Sequence, residues 1–595
     1  SDCAPVSRLL TSTALDEDIG IDRNDPPAEQ LRKTDAYLCE LKESQIRDGL
    51  HILGRSPGGT QEHSLTAAML RIPRGDGGGA NASLLRALAG DFAMNATFDP
   101  LNCPMAEPWD DIRPNVLREI CDDPWRTHGD TVERLELFAE HIIAGHTHAP
   151  GPASTAVLAD ANASLRPQIR ICGSEELRQL ALALDGQFVA PGAAGAPTRG
   201  RPDVLPTGRN FHSIDSRALP RRSAWQLGAR SAELLVERHR QDHGEWPTSM
   251  AVTAWGTSNM RTGGDDLAQA MALIGTKPRW DNTSGRVLGF DVIDLKTLGR
   301  PRVDVTLRVS GMFRDAFPAQ LNLFASASRA VMERDESPTD NPARAAWLTD
   351  CETLDEDTAA YRVFGSPPGG YGAGLQTLIN SGQWEDRSTF GETYIEWGHY
   401  AYGGAAGGRA AKAAFRRRLR TMGAVVQNQD NREHDVLDSD DYYQFEGGLA
   451  AAVELVRGEQ PVIYHNDHSR PEHPAIRTLE SEVARVVRSR ATNPKWVTGM
   501  KRHGYKGAFE MAAMLDYLFA FAATTGAAKS HHFDLVYAAY IADDDTRTFI
   551  GKHNPDALQD MAARFLEAAR RNLWHPRSNS SLAALQDLLE PAPIQ

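Results

Sequence analysis

The chain has 595 residues and a formal net charge of −15, because 64 Lys and Arg face 79 Asp and Glu. This length predicts several domains, and 41% hydrophobic with 24% charged residues excludes global disorder. The acidic balance argues against nonspecific nucleic-acid or membrane binding. Six scattered cysteines without a CxxC pair argue against a disulfide scaffold and a structural zinc site, so we expect a reducing compartment.

The sequence pattern contains no targeting or membrane-spanning segment. The N-terminal residues SDCAPVSRLL lack the charged and apolar regions of a secretory signal, and the first residue, Ser rather than Met, indicates a processed fragment. The most apolar stretch, 508–528, contains Glu510 and Asp516. Because a carboxylate at the bilayer centre costs about 2.5–3.5 kcal/mol, we expect a buried helix there and a cytoplasmic protein.

The periodicity of apolar residues divides the chain into four segments. A helix over 27–54 lies in a first segment, 1–54, and 55–205 reads as a mostly helical insertion. Strands alternate with helices over 206–475, and 476–595 returns to helices. The predicted fold class is therefore multidomain α/β, with a parallel-sheet core between a largely helical N-terminal region and a helical C-terminal region.

Polar segments follow most of the strands predicted in the third segment. Four strands run directly into WGTSNMRTGGDD, SGMFRDAF, FGSPPGGYGAG and QNQDNREHDVLDSDDYY. If the sheet is parallel, these segments lie beyond the carboxyl ends of its strands, where open α/β sheets bind ligands. The order of strands and polar segments along the chain therefore predicts one composite site at that edge of the sheet. The five predicted strands are 250–255, 303–309, 361–365, 424–429 and 461–467.

The segment 430–443, DNREHDVLDSDDYY, carries the clearest chemistry, with six carboxylates and one imidazole. Oxygen and imidazole ligands suit Mg²⁺, Co²⁺ or Ni²⁺. Crowded carboxylates also raise one another's pKa, which can supply a general base near neutrality. The alternative is a solvated acidic loop in which an Asp caps a helix. The glycine that an EF-hand loop requires is missing.

Two other segments are weaker candidates. YHNDHSRPEHP places His465, His468 and His473 after a strand without matching a zinc motif, so a solvent-exposed turn is expected. Seven Lys or Arg and no carboxylate lie between Arg485 and Lys506. That patch could bind substrate carboxylates or an acidic partner, or it could be a solvated helix face with a basic loop.

The remaining motifs exclude several enzyme classes. GGYGAG at 369–374 is out of register for GxGxxG, and no GxxxxGK[ST], GxSxG or HExxH occurs. A P-loop ATPase is therefore excluded. The arginines of FRRRLR at 415–420 are interpreted as a solvated helix face.

Long, unusual segments in a consistent order resemble a known family over nearly the whole chain. They are similar to the large subunits of aerobic cobaltochelatase, the CobN branch of the CobN/magnesium chelatase family. The magnesium branch shares a thinner subset, and MRTGGDD and DSDDYYQFEGG favour the cobalt branch. The resembling segments are LCELKESQIRDGLH (38–51), LPTGRNFHSID (205–215), WGTSNMRTGGDDLAQAMALIG (255–275), LGRPRVDVTLRVSGMFRDAFP (298–318), QNQDNREHDVLDSDDYYQFEGG (427–448) and NPKWVTGMKRHGYKGAFE (493–510).

The resemblance implies an enzyme activity. Large subunits of this kind bind hydrogenobyrinic acid a,c-diamide and insert Co²⁺, the substrate metal, in aerobic cobalamin biosynthesis, a ligase reaction that forms nitrogen–metal bonds. ATP and Mg²⁺ are used by partners, an AAA+ ATPase subunit and a subunit with a metal-dependent adhesion-type domain, which agrees with the missing ATP motif here. Family members also carry an N-terminal half with an HFGxHGxxEWLPGK-type segment. This chain resembles the C-terminal half, so we expect an incomplete site.

The same resemblance guides the choice of site residues. Metal insertion strips water from the ion and removes a proton from the inner nitrogens, tasks that suit imidazole and carboxylate groups, while Arg can hold a carboxylate bidentately. The candidate catalytic residues are Glu433, His434, Asp438 and His503; the candidate metal ligands are these four and Asp441; the candidate substrate-binding residues are His51, His212, Arg261, Arg314, Tyr442, Lys495 and Tyr505.

Two alternatives remain open from the sequence. The chain could belong to a magnesium chelatase acting on protoporphyrin IX, and the macrocycle that binds would discriminate. It could instead be a scaffold half that docks the ATPase subunits, in which case the isolated chain would not bind a corrin.

Overall fold

A computed structural model describes residues 10, 13–22, 24–43, 49–211, 214–404 and 406–589. The chain forms two compact units. Unit 1 comprises Ser1–His212, Ala484–Ala512 and Asp534–Gln559, and unit 2 comprises Ser213–Val483, Ala513–Phe533 and Asp560–Gln595. The residues of the C-terminal segment 476–595 are therefore shared between the two units.

Unit 2 is built around a seven-stranded sheet in the order β11-β10-β3-β6-β7-β8-β9. Its first five strands are parallel, and β8 and β9 add an antiparallel edge. The predicted α/β class with a parallel-sheet core is confirmed. The strands in chain order are β1 (Pro191–Gly192), β2 (Asn210–Phe211), β3 (Ser249–Ala254), β4 (Thr276–Trp280), β5 (Val287–Val292), β6 (Asp304–Val309), β7 (Val363–Gly365), β8 (Tyr400–Ala401), β9 (Arg409–Ala410), β10 (Ala424–Gln429) and β11 (Val462–Asp467).

All five predicted strands are present, as β3, β6, β7, β10 and β11. Every residue of β3, β6 and β10 is buried, as expected for parallel strands covered on both faces. The antiparallel hairpin β4–β5 and the two-residue edge strands were not predicted. The two-residue strands β8 and β9 carry too few residues for an alternating pattern.

The strand order places a topological switch point beside β3. The chain proceeds from β3 to β6 and β7 on one side, and later returns to β10 and β11 on the other side. The carboxyl ends of β3 and β10 therefore flank the position at which ligands of open α/β sheets bind.

Ser310 fixes the polar segments at the ends of β3 and β6. Its hydroxyl accepts hydrogen bonds from the backbone N–H of Phe313, at 3.2 Å, and of Gly256, also at 3.2 Å. A Cβ on Gly256 would lie 2.7 Å from the side chain of Met312, so glycine permits this close approach. The two strand ends are thereby held together.

Helices cover much of the rest of the chain. Up to residue 211 they are Leu15–Ile19, Pro27–Glu43, Thr60–Arg71, Leu84–Asp91, Asn115–Arg118, His128–Ile143, Pro152–Asp160 and Arg166–Leu184. From 214 to 404 they are Arg222–His243, Gly256–Thr262, Asp265–Leu273, Leu295–Leu298, Gly311–Ala316, Pro318–Met332, Pro342–Asp350, Glu356–Ala359, Leu375–Ser381 and Arg387–Gly398. From 406 to 589 they are Lys412–Thr421, Asp440–Tyr442, Gly448–Arg457, Leu479–Val486, Pro494–Lys501, Tyr505–Thr524, Ser530–Tyr537, Asp544–His553, Pro555–Arg570 and Asn579–Leu589.

The predicted helix over 27–54 is only partly correct. Pro27–Glu43 is helical, but residues 49–54 are not. Gly49 and Gly54 have φ values of +93° and +81°, left-handed conformations that a continuing helix cannot contain. The apolar stretch 508–528 does form a helix, within Tyr505–Thr524. Among the described residues, every helix is too short or too polar to span a lipid bilayer.

The interpretation of FRRRLR as a solvated face is wrong for Arg418. This side chain is buried and donates to Asp304 at 3.0 Å and to Asp350. Arg362, also buried, donates to the same Asp304 carboxylate at 2.6 Å. Burial of so many charges is tolerated because each guanidinium has a carboxylate partner.

Candidate metal-handling site at the switch point

Arg261 and Asp430 meet across the switch point. Arg261 lies in the helix that follows β3, and Asp430 directly follows β10. The guanidinium donates from Nε to Oδ2 at 2.7 Å and from Nη2 to Oδ1 at 2.9 Å. The side chains are 23% and 5% exposed. Because this bidentate pair occupies the fork of Arg261, a substrate carboxylate would compete with Asp430 for it.

A buried carboxyl group, Asp266, lies beneath this pair. It accepts hydrogen bonds from the amides of Asn259, at 2.7 Å, and Asn428, at 3.0 Å. Burial raises the pKa of Asp266 to about 7, and the nearby charges of Asp265 and Asp430 add to the rise despite the two amide donors. The group therefore titrates near neutral pH, a property found often at functional sites.

The acidic loop that follows β10 is held by its own polar side chains. Asn431 Oδ1 accepts from the backbone N–H of Glu433 at 2.9 Å. Asp438 Oδ2 accepts from the backbone N–H of Asp435 at 2.7 Å, and Asp435 Oδ1 accepts from that of Leu437 at 3.0 Å. These side-chain-to-backbone bonds give the loop, residues 430–441, a defined course with little regular secondary structure.

His434 lies half-buried in this loop against a buried tyrosine. Its Nδ1 is 3.1 Å from the hydroxyl of Tyr442 and 3.4 Å from Nε2 of Gln429, and its Nε2 is 3.4 Å from Nδ2 of Asn431. Burial lowers the pKa of the imidazole, and the charge of Arg261 lowers it further against the opposing charge of Asp430. The ring is thus neutral at pH 7, the form that binds metal ions.

The carboxylates of the loop are buried to different depths. Glu433 and Asp441 are exposed, and Asp438 is half-buried. Partial enclosure by the surrounding protein and the charge of Asp440 raise the pKa of Asp441 to about 6. Within the described loop, no three imidazole and carboxylate groups bring ligand atoms within 4.8 Å of one another. The loop offers donors to an ion without forming a closed cage.

The solvent-exposed turn predicted for YHNDHSRPEHP is wrong for two of its three histidines. His465 and His468 are completely buried, and only His473 of the three is exposed. His465 Nδ1 lies 3.1 Å from a carboxylate oxygen of Glu446, and His468 Nε2 lies 2.7 Å from the hydroxyl of Ser231. Each ring contacts a polar group on a neighbouring element, which sequence spacing cannot reveal.

Four other predicted site residues belong to unit 1. His503 Nε2 accepts from the backbone N–H of Leu50 at 2.8 Å, and Nε2 of His51 lies 3.2 Å from the buried carboxylate of Glu176. Lys495 and Tyr505 are exposed, and a further candidate, His212, lies outside the described residues. The predicted roles of these residues in metal and substrate binding stay predictions.

Most of the predicted basic patch between Arg485 and Lys506 is paired within its own unit. Arg488 pairs with Asp18, Lys501 with Asp545 at 2.6 Å, and Lys506 with Glu510 at 2.6 Å. Arg490 is buried, with its guanidinium 5.0 Å from the ring centre of Trp496. These four cations are partnered by acidic or aromatic groups, which reduces what the patch offers to a ligand.

Arg314 lies in the helix after β6 and shapes a neighbouring loop. Its Nη1 donates to the carbonyls of Pro367, at 2.7 Å, and Gly370, at 2.9 Å, and Nε and Nη2 donate to Asp315 at 2.8 and 3.0 Å. Tyr371 completes the contact by donating to Asp315 at 2.6 Å. These bonds occupy Arg314 in supporting the loop 366–371.

Sequence reasoning missed Asp266 and Glu446 as members of the candidate site, and it named His465 only as a weak candidate on an exposed turn. Asp266 lies in the first turn of a helix, where an Asp usually interacts with the helix dipole at the surface. Only the pairing of β10 beside β3, which aligns Val426 with Val252, brings Asn428 to this carboxyl group. The sequence feature that could have indicated Asp266 was the pair of adjacent aspartates in MRTGGDD, which follows a predicted strand.

Comparison with known proteins identifies the family. A family model described as CobN/Magnesium Chelatase matches residues 4–581. The aerobic cobaltochelatase subunit CobN of Sinorhizobium sp is 54% identical over 601 residues, which cover 96% of this chain and 47% of that protein. The subunit of the same name from Pseudomonas aeruginosa is 50% identical, with 98% and 47% covered. The H subunit of magnesium chelatase from Cereibacter sphaeroides is 33% identical, with 72% and 35% covered.

A solved structure agrees with these relatives. The catalytic subunit of cobaltochelatase from Mycobacterium tuberculosis superimposes with a TM-score of 0.89 and 39% identity, covering 98% of this chain and 49% of that chain. The chain spans about half the length of the two cobaltochelatase subunits compared above. Because the family model matches almost the whole chain, the chain belongs to the CobN/magnesium chelatase family.

Proposed function

We propose that this chain is the corrin-binding, metal-inserting part of an ATP-dependent cobaltochelatase, acting on hydrogenobyrinic acid a,c-diamide in aerobic cobalamin biosynthesis. Its identity with two relatives named aerobic cobaltochelatase subunit CobN supports the reaction. The observation that carries the assignment of a metal-handling role is the position of the His434 imidazole within a loop of carboxylates at the switch point, with its Nδ1 3.1 Å from the hydroxyl of Tyr442.

The donor set favours cobalt over magnesium. Mg²⁺ prefers oxygen ligands in an octahedral arrangement and keeps several waters, whereas imidazole nitrogen suits transition metals such as Co²⁺. His434 supplies that nitrogen, and Glu433 and Asp438 supply oxygens. An open arrangement of donors in the described loop suits an ion that is substrate, because such an ion must leave for the macrocycle.

Each residue of the site has a role in this proposal. His434 and the carboxylates of Glu433 and Asp438 replace waters of the incoming Co²⁺. Asp441, whose pKa of about 6 leaves it mostly ionised at pH 7, accepts a proton from an inner nitrogen of the ring. Tyr442 orients His434 through its hydroxyl. Asp266 buffers protons beneath the Arg261–Asp430 pair.

The proposed assembly follows the family. An AAA+ ATPase subunit and a subunit with an adhesion-type domain would supply ATP hydrolysis with Mg²⁺, in the cytoplasm. The part of the relatives that this chain does not span would complete the pocket. The groups that stay candidates for binding the corrin or its metal are His51, His212, Arg261, Arg314, Lys495, His503 and Tyr505.

Magnesium chelation of protoporphyrin IX is the second candidate, favoured by the 33% identity with a magnesium-chelatase relative. One titration separates the two. The purified chain is titrated with hydrogenobyrinic acid a,c-diamide and, in parallel, with protoporphyrin IX, following ligand absorbance and tryptophan quenching. Saturable binding of the corrinoid alone supports the proposal, and binding of the porphyrin alone overturns it. If neither binds, the measurement is repeated after adding the part of the cobaltochelatase relatives that this chain does not span, and the same two outcomes decide.

A further inference from the structure

Two fully buried groups behind the acidic loop have no role in the proposal above. Glu446 and His465 are 0% and 1% exposed, and Nδ1 of His465 lies 3.1 and 3.3 Å from the two carboxylate oxygens of Glu446. Glu446 belongs to a π-helical turn, Tyr443–Gly447, and His465 to β11. Turns of this kind inside helices are often found at functional sites.

Gln429 connects this pair to the acidic loop. Its Nε2 donates to the backbone carbonyls of Asn431, at 3.0 Å, and His434, at 2.8 Å. Its Oε1 therefore faces Nε2 of His465, at 3.3 Å, as an acceptor. The Nε2 atom of His465 must carry a hydrogen to satisfy this contact.

The other ring nitrogen of His465 faces a carboxylate, so one more proton lies between Nδ1 and Glu446. Burial raises the pKa of Glu446 and the interaction with His465 opposes the rise, while the buried carboxyl group of Glu482 adds to it. Whichever atom holds the proton, the hydrogen bonds run in one direction, from the pair to Gln429 and from Gln429 to the loop.

We propose that Glu446 and His465 are positioning residues for the acidic loop: they fix the amide of Gln429, which holds the carbonyls of Asn431 and His434 and so presents the His434 ring to the metal. The inference rests on the proposed function for the identity of that metal. Outer partners that orient a metal ligand typically change metal affinity 10–100-fold when they are removed.

The test uses Co²⁺ as the probe and its visible absorption on the purified chain as the readout. His465→Phe removes both ring nitrogens and leaves Gln429 free to rotate, so we expect Co²⁺ binding to weaken about 10–100-fold and the absorption bands to change. Glu446→Gln is the conservative variant. Its side-chain carbonyl can accept from Nδ1, or its amide can donate to it, while Nε2 keeps its hydrogen. We therefore expect affinity within about threefold of the unchanged chain, since the hydrogen bonds on both sides of the ring are kept.

A matched control separates positioning from general loss of stability. Glu336 is another carboxylate of unit 2, 9% exposed and paired with Arg302 at 2.7 Å, and its partners Arg302, Arg334 and Asn341 lie outside the acidic loop. Glu336→Gln weakens a largely buried ion pair and should leave the Co²⁺ spectrum unchanged. If His465→Phe does not fold, Gln429→Glu keeps the volume, cannot donate to the two carbonyls, and should show the same loss.

A readout without metal distinguishes failure of this inference from failure of the proposed function. The chain is labelled with ¹⁵N-histidine, and the His434 resonance is assigned by its absence in His434→Gln. We expect His465→Phe or Gln429→Glu to shift this resonance. A Co²⁺ spectrum and a His434 resonance that are both unaffected would overturn the positioning role. A shifted resonance in a chain that binds no Co²⁺ would support positioning and overturn the metal-handling function.

Discussion

Arg261 and Asp430 join the polar segments that follow β3 and β10. Two hydrogen bonds of 2.7 and 2.9 Å connect a guanidinium that is 23% exposed to a carboxylate that is 5% exposed. The two strands are neighbours on opposite sides of the switch point. The pair therefore connects the polar segments that follow them. Loss of this largely buried pair should affect both stability and the loop.

The first prediction concerns this pair. Asp430→Asn leaves the guanidinium without its anion, so we expect the free energy of unfolding of unit 2 to fall by about 2 kcal/mol, less than for a fully buried pair because Arg261 is partly exposed. The fluorescence of the tryptophans of the chain, which include Trp255 directly after β3, follows the transition in urea.

The exposed pair of Arg240 and Glu237, 2.8 Å apart, is the control for this prediction. Arg240→Gln should cost less than about 0.5 kcal/mol, because water screens the pair. Equal losses for the two variants would show that the Arg261–Asp430 pair behaves as a surface pair.

The second prediction concerns pH. Folding raises the pKa of Asp266 from 3.8 to about 7. The folded state therefore binds the proton more tightly than the unfolded state, and stability is lost as pH rises from about 4 to about 7. Asp266→Asn cannot ionise, so its free energy of unfolding relative to the unchanged chain should rise across this window, by up to about 4 kcal/mol.

Urea unfolding at pH 4.5, 6 and 8 measures this difference. Glu385→Gln removes an exposed carboxylate of the same unit and should show no such trend. A difference between Asp266→Asn and the unchanged chain that stays constant with pH would mean that Asp266 ionises normally in the folded state.

The third prediction concerns metal handling. Glu433→Gln and Asp438→Asn keep side-chain volume. In Asp438→Asn the amide oxygen can still accept the hydrogen bond from the backbone N–H of Asp435. We expect each variant to lower Co²⁺ affinity at least tenfold, in line with the loss of a charged ligand, and to abolish cobalt insertion by the complete complex. Binding of the macrocycle should change little, since these groups are proposed to face the ion.

Calorimetric titration with Co²⁺ and an insertion assay check this prediction, with Glu385→Gln as the control carboxylate. Insertion rates that match the unchanged protein in both variants would assign the acidic loop a structural role.

The fourth prediction concerns Arg314, a predicted substrate-binding residue. Its bonds to the carbonyls of Pro367 and Gly370 support the loop 366–371. Arg314→Gln should therefore increase amide hydrogen exchange in that loop at least tenfold, corresponding to a loss of about 1.4 kcal/mol or more in local opening free energy. Exchange measured by mass spectrometry checks this. Unchanged exchange together with weaker macrocycle binding would instead favour direct contact with substrate.

Local sequence pattern was sufficient to predict the main sheet strands and the polar segments that follow them. The strands β3, β6 and β10 are continuous runs of buried residues between polar segments, and such runs are recognisable without a structure. The order of those strands was not predictable, because pairing depends on contacts between residues far apart in the chain.

The individual site residues were predicted less completely. The acidic loop stood out because charge density is a property of the sequence, and His434 with it. The burial of His465 and its contact with Glu446 could not be predicted, since the two residues meet only when β11 lies beside the π-helical turn. Arg418 was wrongly interpreted for the same reason, because its carboxylate partners lie 68 and 114 residues away.

Residue identity and local periodicity were enough to establish the fold class, the family and the chemical types of the candidate groups. Tertiary contacts decided which groups are neutral, which are paired and which face one another. Burial and neighbouring charge set the pKa values of Asp266 and His434, and strand order placed Arg261 against Asp430. A pKa shift and a hydrogen bond both depend on distances between groups. Those distances are set when segments remote in the chain pack together.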